Sequence, residues 1–284
     1  MKIILYITSF IILYTLSSCN EGVDFVAYEP QVVVEGRIEN GEYASVLLSR
    51  SVSFTESMDT TNLLNHAIRN AKVTISDGTD SEVLLLRTNN QKIPPYEYVT
   101  TKIKGEAGKY YYLTIQYYEK TITATTYIPE PIQLDSLWFQ KKNETDRVGY
   151  IHVQFKNISN HNYQLSTQEI PGEKVFIPCL YGNIDRTLYL TGETISMQIN
   201  KGPVIFPETS YNTYFPDSVA IKVKLSTQTQ ESYQFWTSYQ NEILNSQNPV
   251  FPAANKLKSN INGGVGIWAG YGSSVKTIVG KNNK

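Results

Sequence analysis

The segment SNINGGVGIWAGYGSS, residues 259–274, decides how the fold is interpreted, because it brings five glycines together near the end of the chain. A phosphate-binding loop needs a lysine directly after its glycines, or a G-x-G-x-x-G turn between a parallel strand and a helix. Neither pattern is present. We therefore predict a structural turn or bulge at Gly263 and Gly264, with Gly266 beyond it, since glycine tolerates positive φ and close backbone approach. The chain is predicted to reverse direction at this turn and to continue as a strand through residues 265–268. The alternative interpretation of the glycine segment is a ligand-binding loop.

Upstream of this segment, residues 30–130 alternate apolar and polar side chains with a period of two, which is typical of half-buried β-strands. The strands are separated by the turn signals of hairpins, which fall at Asn40-Gly41, Asp77-Gly78 and Glu119-Lys120. About seven short strands at regular spacing predict an antiparallel β-sandwich. Prolines on either side of Glu130 stop strand pairing, so we place a domain boundary there.

Residues 131–284 are predicted to form a second β-rich domain that carries one amphipathic helix. Its clearest strand runs through DSVAIKVKLST, residues 217–227, where apolar side chains alternate. The period then changes, and the spacing predicts a helix near 228–245 with Thr227 and Gln230 as its capping box. The inward stripe of this helix is predicted to consist of Tyr233, Trp236, Gln240, Ile243 and Leu244.

The N-terminus has the pattern of an export signal. Lys2 is followed by an apolar run that ends in small residues, and the run is shorter than the roughly 20 residues that cross a bilayer. The order Leu16-Ser17-Ser18-Cys19 resembles the bacterial lipobox, in which the cysteine is acylated and becomes the new N-terminus. We therefore expect residues 1–18 to be a lipoprotein signal peptide, Cys19 to carry the lipid, and residues 19–29 to form a tether.

Several motifs occur in the order found in one family of bacterial lipoproteins. They are VVVEGRI from residue 32, NAKVTISDG from residue 70, GKYYYLTI from residue 108, IPEPIQLDSLWF from residue 128, the Asn248-Pro249 pair, and the glycine motif from Ser259. The mature chain thus resembles the DUF4249 family over essentially its whole length, although many relatives have phenylalanine where Val250 and Trp268 stand. The resemblance implies an uncharacterised envelope lipoprotein with an Ig-like or transthyretin-like first domain, often encoded beside TonB-dependent outer-membrane receptors. It implies no established activity.

The residues form no recognisable catalytic or metal-binding pattern. A net charge of −1 and a pI near 6.3 provide no basic field for nucleic acid, so that class of partner is excluded. His66, His152 and His161 fall in different predicted elements. The one candidate metal-binding pair is His152 and His161, which could face each other across a hairpin. Once Cys19 is acylated only Cys179 is left, and we predict that it is a buried core residue. We therefore predict no enzyme, no metal and no cofactor.

Two kinds of surface feature are candidates for function. Alternation along GKYYYLTIQYY places Tyr110, Tyr112 and Tyr118 opposite the buried face, where tyrosines suit contact with a partner or a sugar. The ordinary preference of strands for aromatic residues is the alternative explanation. Triplets of aspartate, a hydroxyl residue and a small or apolar residue predict three candidate O-glycosylation sites, at Thr60, Ser136 and Ser218.

Together these observations predict a non-enzymatic protein, lipid-anchored in the outer membrane, that binds a ligand or a protein partner. Its role as the accessory of a TonB-dependent outer-membrane transporter follows from the family resemblance alone. A structural or adhesive surface lipoprotein is one alternative, and an envelope hydrolase whose site assembles only in the fold is another. The sequence leaves open which face of the outer membrane the protein occupies, its ligand and its oligomeric state.

Overall fold

The computed structural model describes residues 28–52, 64–90, 92, 94–173, 175–202, 212–246 and 257–280. Its strands are β1 (Val32–Glu39), β2 (Tyr43–Arg50), β3 (Lys72–Ser76), β4 (Ser81–Val83), β5 (Leu85–Thr88), β6 (Tyr96–Lys104), β7 (Tyr110–Tyr117), β8 (Lys120–Tyr127), β9 (Ser136–Lys141), β10 (Val148–Lys156), β11 (Asn162–Ile170), β12 (Ile177–Ile184), β13 (Thr194–Ile199), β14 (Phe215–Pro216), β15 (Ala220–Gln228) and β16 (Val265–Val279). A 3-10 turn covers Arg186–Leu188, and the helix α1 covers Gln230–Ser246. Within these ranges, no helix has the length and apolar character needed to span a membrane.

The strands form three sheets within the described part of the chain. The largest has eight strands in the order β12-β11-β15-β16-β1-β2-β6-β5. A second has the order β4-β3-β7-β8, and in the third β10 pairs with β9, β13 and β14. Nearly all pairings are antiparallel, and the prediction of a mainly β, sandwich-like fold with one helix is confirmed.

Strand β16, which comes from the glycine-rich segment, joins the two halves of the chain. Its first part, Val265 to Tyr271, pairs in parallel with β1. Its second part, Tyr271 to Val279, pairs in antiparallel with β15. Because β1 and β15 flank the same strand, the eight-stranded sheet continues from the first half of the chain into the second. The C-terminal part of the chain thereby supplies a strand to the N-terminal sandwich.

The eight-stranded sheet buries one face against both smaller sheets. Side chains of β1 and β2 meet those of β3, β7 and β8 in a first core, which includes Val34, Val46, Ile75, Ile115 and Trp268. Side chains of β11 and β15 meet those of β10 and β13 in a second core, which includes Ile151, Phe155, Tyr163, Val223 and Ile195. We call the opposite side of the sheet the helix face, because α1 packs there against Ile267, Ala269 and Tyr271.

The helix differs from its prediction at its start and along its buried stripe. Strand β15 continues through Gln228, so the N-cap is Thr229, whose Oγ1 accepts a hydrogen bond from the Ser232 backbone N–H at 3.3 Å. The proposed capping box of Thr227 and Gln230 is therefore wrong. Phe235 and Trp236 pack onto β16, whereas Tyr233 and Gln240 are only half-buried. The side chains of Ile243 and Leu244 lie outside the described residues.

The hairpin between β7 and β8 also turns one residue earlier than predicted. Tyr118 and Glu119 form the turn, and Lys120 already pairs with Tyr117 as the first residue of β8. Tyr118 adopts a φ of 51°, the left-handed conformation that the turn needs. An aromatic residue carries no sequence signal for that conformation, which is why the pattern pointed to Glu119-Lys120 instead.

Candidate functional site

The glycines of residues 259–274 make room for β16 against its neighbours. Gly263 lies in the turn before the strand with a φ of 81°, and Gly264 follows it. Gly266 has a φ of 129°, and a Cβ at this position would overlap the carbonyl oxygen of Val34 on β1. Glycine is therefore required here by both conformation and space.

Polar side chains before the turn bind the backbone of the strand that follows it. The Asn260 side chain accepts a hydrogen bond from the Trp268 backbone N–H at 2.9 Å and donates one to the Trp268 carbonyl at 2.8 Å. Ser259 Oγ accepts a hydrogen bond from the Gly266 N–H at 3.0 Å. These side chains satisfy backbone groups of β16 that a further strand would otherwise pair.

Trp268 anchors the segment in the first core. Its side chain is fully buried, and its Nε1 donates a hydrogen bond to the Tyr111 carbonyl at 3.0 Å. On β1, a Cβ at Gly36 would come within 2.7 Å of the Trp268 ring, so glycine at that position leaves space for the indole. The described contacts of the segment are all with neighbouring strands and loops of the fold.

Exposed tyrosines lie on the outer surface of the β4-β3-β7-β8 sheet. Tyr110 and Tyr112 are 56% and 45% exposed, whereas Tyr111 between them is buried. The ring of Tyr110 lies 4.9 Å from that of Tyr127 on β8, which in turn lies 5.7 Å from the His161 ring. We call these four residues, Tyr110, Tyr112, Tyr127 and His161, the tyrosine face. His161 precedes β11, so both halves of the chain contribute to it.

Tyr118 is exposed but does not belong to the tyrosine face. It lies in the turn at the far end of β7, about 26 Å from Tyr110 if a strand rises about 3.3 Å per residue. Its ring packs edge-on against Tyr117, and its hydroxyl accepts a hydrogen bond from Asn70 Nδ2 at 3.4 Å. The structure thus brings together two of the three predicted contact tyrosines.

The histidines and the cysteine of the described chain have separate surroundings. His152 on β10 stacks on Trp138 of β9 with ring centroids 5.1 Å apart, whereas His161 lies beside Tyr127. Among the described residues, no group of three or more histidine, cysteine or acidic side chains is placed to hold a metal ion. Cys179 is buried, and burial raises the pKa of its thiol to about 12, so the reactive thiolate is strongly disfavoured.

A row of ionisable side chains crosses the helix face, and the sequence analysis missed it. Lys224 Nζ donates to the two carboxylate oxygens of Glu39 at 2.9 and 3.0 Å, and Lys92 Nζ lies 3.2 Å from Glu97 Oε2. Burial lowers the pKa of both lysines, and nearby positive charge from Arg37 adds to the effect. Burial alone would raise the pKa of Glu39, but Lys224 and Arg37 outweigh it and hold that pKa below 4.5. The Lys224–Glu39 pair connects β15 to β1, and the Lys92–Glu97 pair connects the loop after β5 to β6.

The covalent modification sites are only partly described. Ser136 at the start of β9 and Ser218 in the turn before β15 are exposed, so their hydroxyls are accessible for glycosylation. Thr60 and Cys19 lie outside the described residues. O-glycosylation and lipidation remain predictions, which intact-mass analysis of the native protein would test directly.

Comparison with protein families gives a match over most of the chain. The family model described as Domain of unknown function (DUF4249) matches residues 22–277 of the 284. No curated protein matches the chain.

Proposed function

The chain belongs to the DUF4249 family, whose domain has no known function, and from that premise we propose that it is a lipid-anchored envelope protein that binds rather than catalyses. Its partner is a ligand or a protein that docks on the tyrosine face. The proposal rests on one observation above all: the exposed Tyr110 and Tyr112 share one face of β7, and the Tyr110 ring continues into the half-buried rings of Tyr127 and His161.

The tyrosine face has properties that favour recognition. A tyrosine offers a large apolar ring and a hydroxyl while losing little conformational entropy when it is immobilised. Exposed threonines of β8, including Thr123 and Thr125, extend the surface with further hydroxyl groups. Burial lowers the pKa of His161, helped by the positive charge of Arg186, so its imidazole is largely neutral at pH 7. His161 therefore adds little positive charge to its end of the tyrosine face.

The proposed anchor is the lipid on Cys19. Residues 16–19 have the lipobox pattern. Each acyl methylene buried in the bilayer contributes about 0.8 kcal/mol to membrane binding, so two or three acyl chains hold a protein stably on a membrane. On this proposal the protein sits on the outer membrane, with palmitate or a similar acyl group attached. Its partner there is a TonB-dependent outer-membrane receptor, a link supported only by the family resemblance.

A membrane pull-down tests the proposal. The natively lipidated protein, carrying a tag, is cross-linked mildly in its own cells, purified and examined by mass spectrometry. Cys19→Ala removes the anchor, and the double variant Tyr110→Ala with Tyr112→Ala removes the tyrosine face. Tyr118→Asn is the matched control, because it removes an exposed tyrosine at the other end of β7 and asparagine tolerates the left-handed φ.

We expect a TonB-dependent receptor to be enriched with the wild type and with Tyr118→Asn, and to be lost with the other two variants. Enrichment of the receptor by the double tyrosine variant at the wild-type level would exclude the tyrosine face as its contact. If no barrel protein is enriched at all, the accessory role is wrong and an adhesive role gains support.

A further inference from the structure

A second uncharged aromatic surface lies on the outer side of the third sheet. The alternation of β9 and β10 turns Leu137, Ile151 and Val153 into the second core and leaves the intervening side chains outside. Strand pairing places these outer residues in three rows, Gln140 beside Tyr150, Trp138 beside His152 and Gln198, and Ser136 beside Gln154 and Ser196. We call this set the third-sheet platform.

Aromatic rings occupy the centre of the platform. Trp138, 38% exposed, stacks on His152 with an angle of 7° between the ring planes. In the next row, the Tyr150 ring lies 5.1 Å from that of Tyr214, which adjoins β14. The platform is about 13 Å long, because its first and third rows are four residues apart along a strand that rises about 3.3 Å per residue. It is about 10 Å wide, because it covers three strands that lie about 4.8 Å apart.

Amide and hydroxyl groups surround the rings. Gln154 Nε2 donates a hydrogen bond to Ser196 Oγ at 3.3 Å, and Gln198 Nε2 donates one to Asn200 Oδ1 at 3.2 Å. Each glutamine keeps further donor and acceptor capacity, because a side-chain amide offers two N–H donors and a carbonyl oxygen. Gln140 and Trp138 also border a depression that continues along β9 toward Asn143.

The platform carries no ionised side chain in its three rows. Burial lowers the pKa of His152, which favours the neutral imidazole at pH 7. Charged side chains lie around the rows: Lys142 Nζ sits 4.5 Å from the Tyr214 ring centre at one end, Lys156 ends β10 at the other, and Lys141 and Glu144 line the depression beside Gln140. Within the three rows, a ligand therefore finds aromatic rings and uncharged hydrogen-bonding groups, and the charges lie outside the rows.

We propose that the third-sheet platform binds a neutral oligosaccharide. A sugar ring presents a C–H face that packs on an aromatic ring and hydroxyl groups that exchange hydrogen bonds with amides, which are the two kinds of group found here. An anionic glycan or a nucleic acid would need cations in the rows, and a purely apolar ligand would leave the amides unpaired. The platform belongs to another sheet than the tyrosine face, so this inference stands independently of the proposed receptor contact.

Tryptophan fluorescence makes the binding measurable. The chain has three tryptophans, of which Trp268 is fully buried and Trp236, on the helix, is partly buried against β16, so the more exposed Trp138 contributes most to quenching by a soluble quencher such as acrylamide. The full lipidated chain is purified in a zwitterionic alkyl detergent, because sugar-based detergents would compete. It is first probed on an array of neutral and acidic glycans, and each neutral glycan that binds is then titrated while acrylamide quenching is followed.

We expect binding to neutral glycans and protection of Trp138 from acrylamide. Trp138→Ala should weaken binding by at least about ten-fold, and Gln198→Ala by less. Tyr118→Asn, which removes an exposed aromatic on the other sheet and outside the tyrosine face, should bind as the wild type does, and all variants should unfold at the wild-type temperature. The proposal is overturned if no neutral glycan binds, if only acidic glycans bind, or if a folded Trp138→Ala protein binds as tightly as the wild type.

Discussion

Lys224 and Glu39 lie 185 residues apart in the chain, yet the lysine Nζ approaches the two carboxylate oxygens of the glutamate to 2.9 and 3.0 Å. Lys224 belongs to β15 and Glu39 ends β1, and these two strands flank β16 on opposite sides. Both side chains are nearly fully shielded from solvent on the helix face. The ion pair therefore ties the two halves of the chain together where the eight-stranded sheet passes from one to the other.

Breaking this pair from one side should destabilise the protein strongly. Lys224→Ala leaves the buried Glu39 carboxylate without its main partner, and we expect a loss of about 3 kcal/mol in the free energy of unfolding. The double variant Glu39→Leu with Lys224→Met removes both charges and should recover most of the loss. Guanidinium titration at neutral pH measures both values. If Lys224→Ala lowers the free energy of unfolding by less than about 1 kcal/mol, the ion pair does not hold the two halves of the sheet together.

Low pH should lower the stability of the folded protein, in part because Glu39 becomes protonated. Its pKa is held below 4.5 in the folded state, so the folded protein binds this proton less tightly than the unfolded chain does. The resulting stabilisation is fully present above pH 4.5 and is lost as the pH falls through the folded pKa. Glu39→Gln should therefore flatten the decline of stability below pH 4.5 in chemical denaturation. An equally steep decline in wild type and variant would contradict the assigned pKa direction.

Replacing Gly41 and Gly266 by alanine should destabilise the protein to different extents, although both glycines have a positive φ. Gly41, in the β1–β2 turn, has open space around its Cβ position, so Gly41→Ala should cost about 1–2 kcal/mol from conformation alone. Gly266→Ala adds an overlap with the Val34 carbonyl and should prevent β16 from pairing with β1. We expect Gly266→Ala to be far less stable or insoluble, which thermal unfolding and gel filtration would detect. Equal losses would mean that β16 does not pack against β1 as described.

Local patterns predicted the strands well, but they carried little information about how distant strands pair. The Asn40-Gly41 turn and the alternation around Tyr111 depend on adjacent residues, and both appear as expected. The parallel pairing of Gly36 with Trp268 joins segments far apart in sequence, and no local period encodes it. The third-sheet platform was missed for the same reason, since Trp138, His152 and Gln198 come together only through strand register.

The thiol of Cys179 should be inert in the folded protein. The side chain is buried, and its pKa is raised to about 12, so almost no thiolate exists near neutral pH. In the Cys19→Ala variant it is the remaining cysteine of the chain. A thiol reagent such as DTNB should label this variant only after denaturant is added. Rapid labelling of one thiol per chain under native conditions would contradict the described burial.

A photo-reactive amino acid on the tyrosine face of the lipidated protein in living cells tests most directly whether this face contacts the receptor. p-Benzoylphenylalanine is incorporated in place of Tyr110 or Tyr112, and in place of Tyr118 as the matched site outside the face. We expect irradiation at positions 110 and 112 to capture a TonB-dependent outer-membrane receptor, and irradiation at position 118 to capture little of it. Equal capture at all three positions, or capture of the receptor at position 118 alone, would contradict the claim that this face is the binding surface.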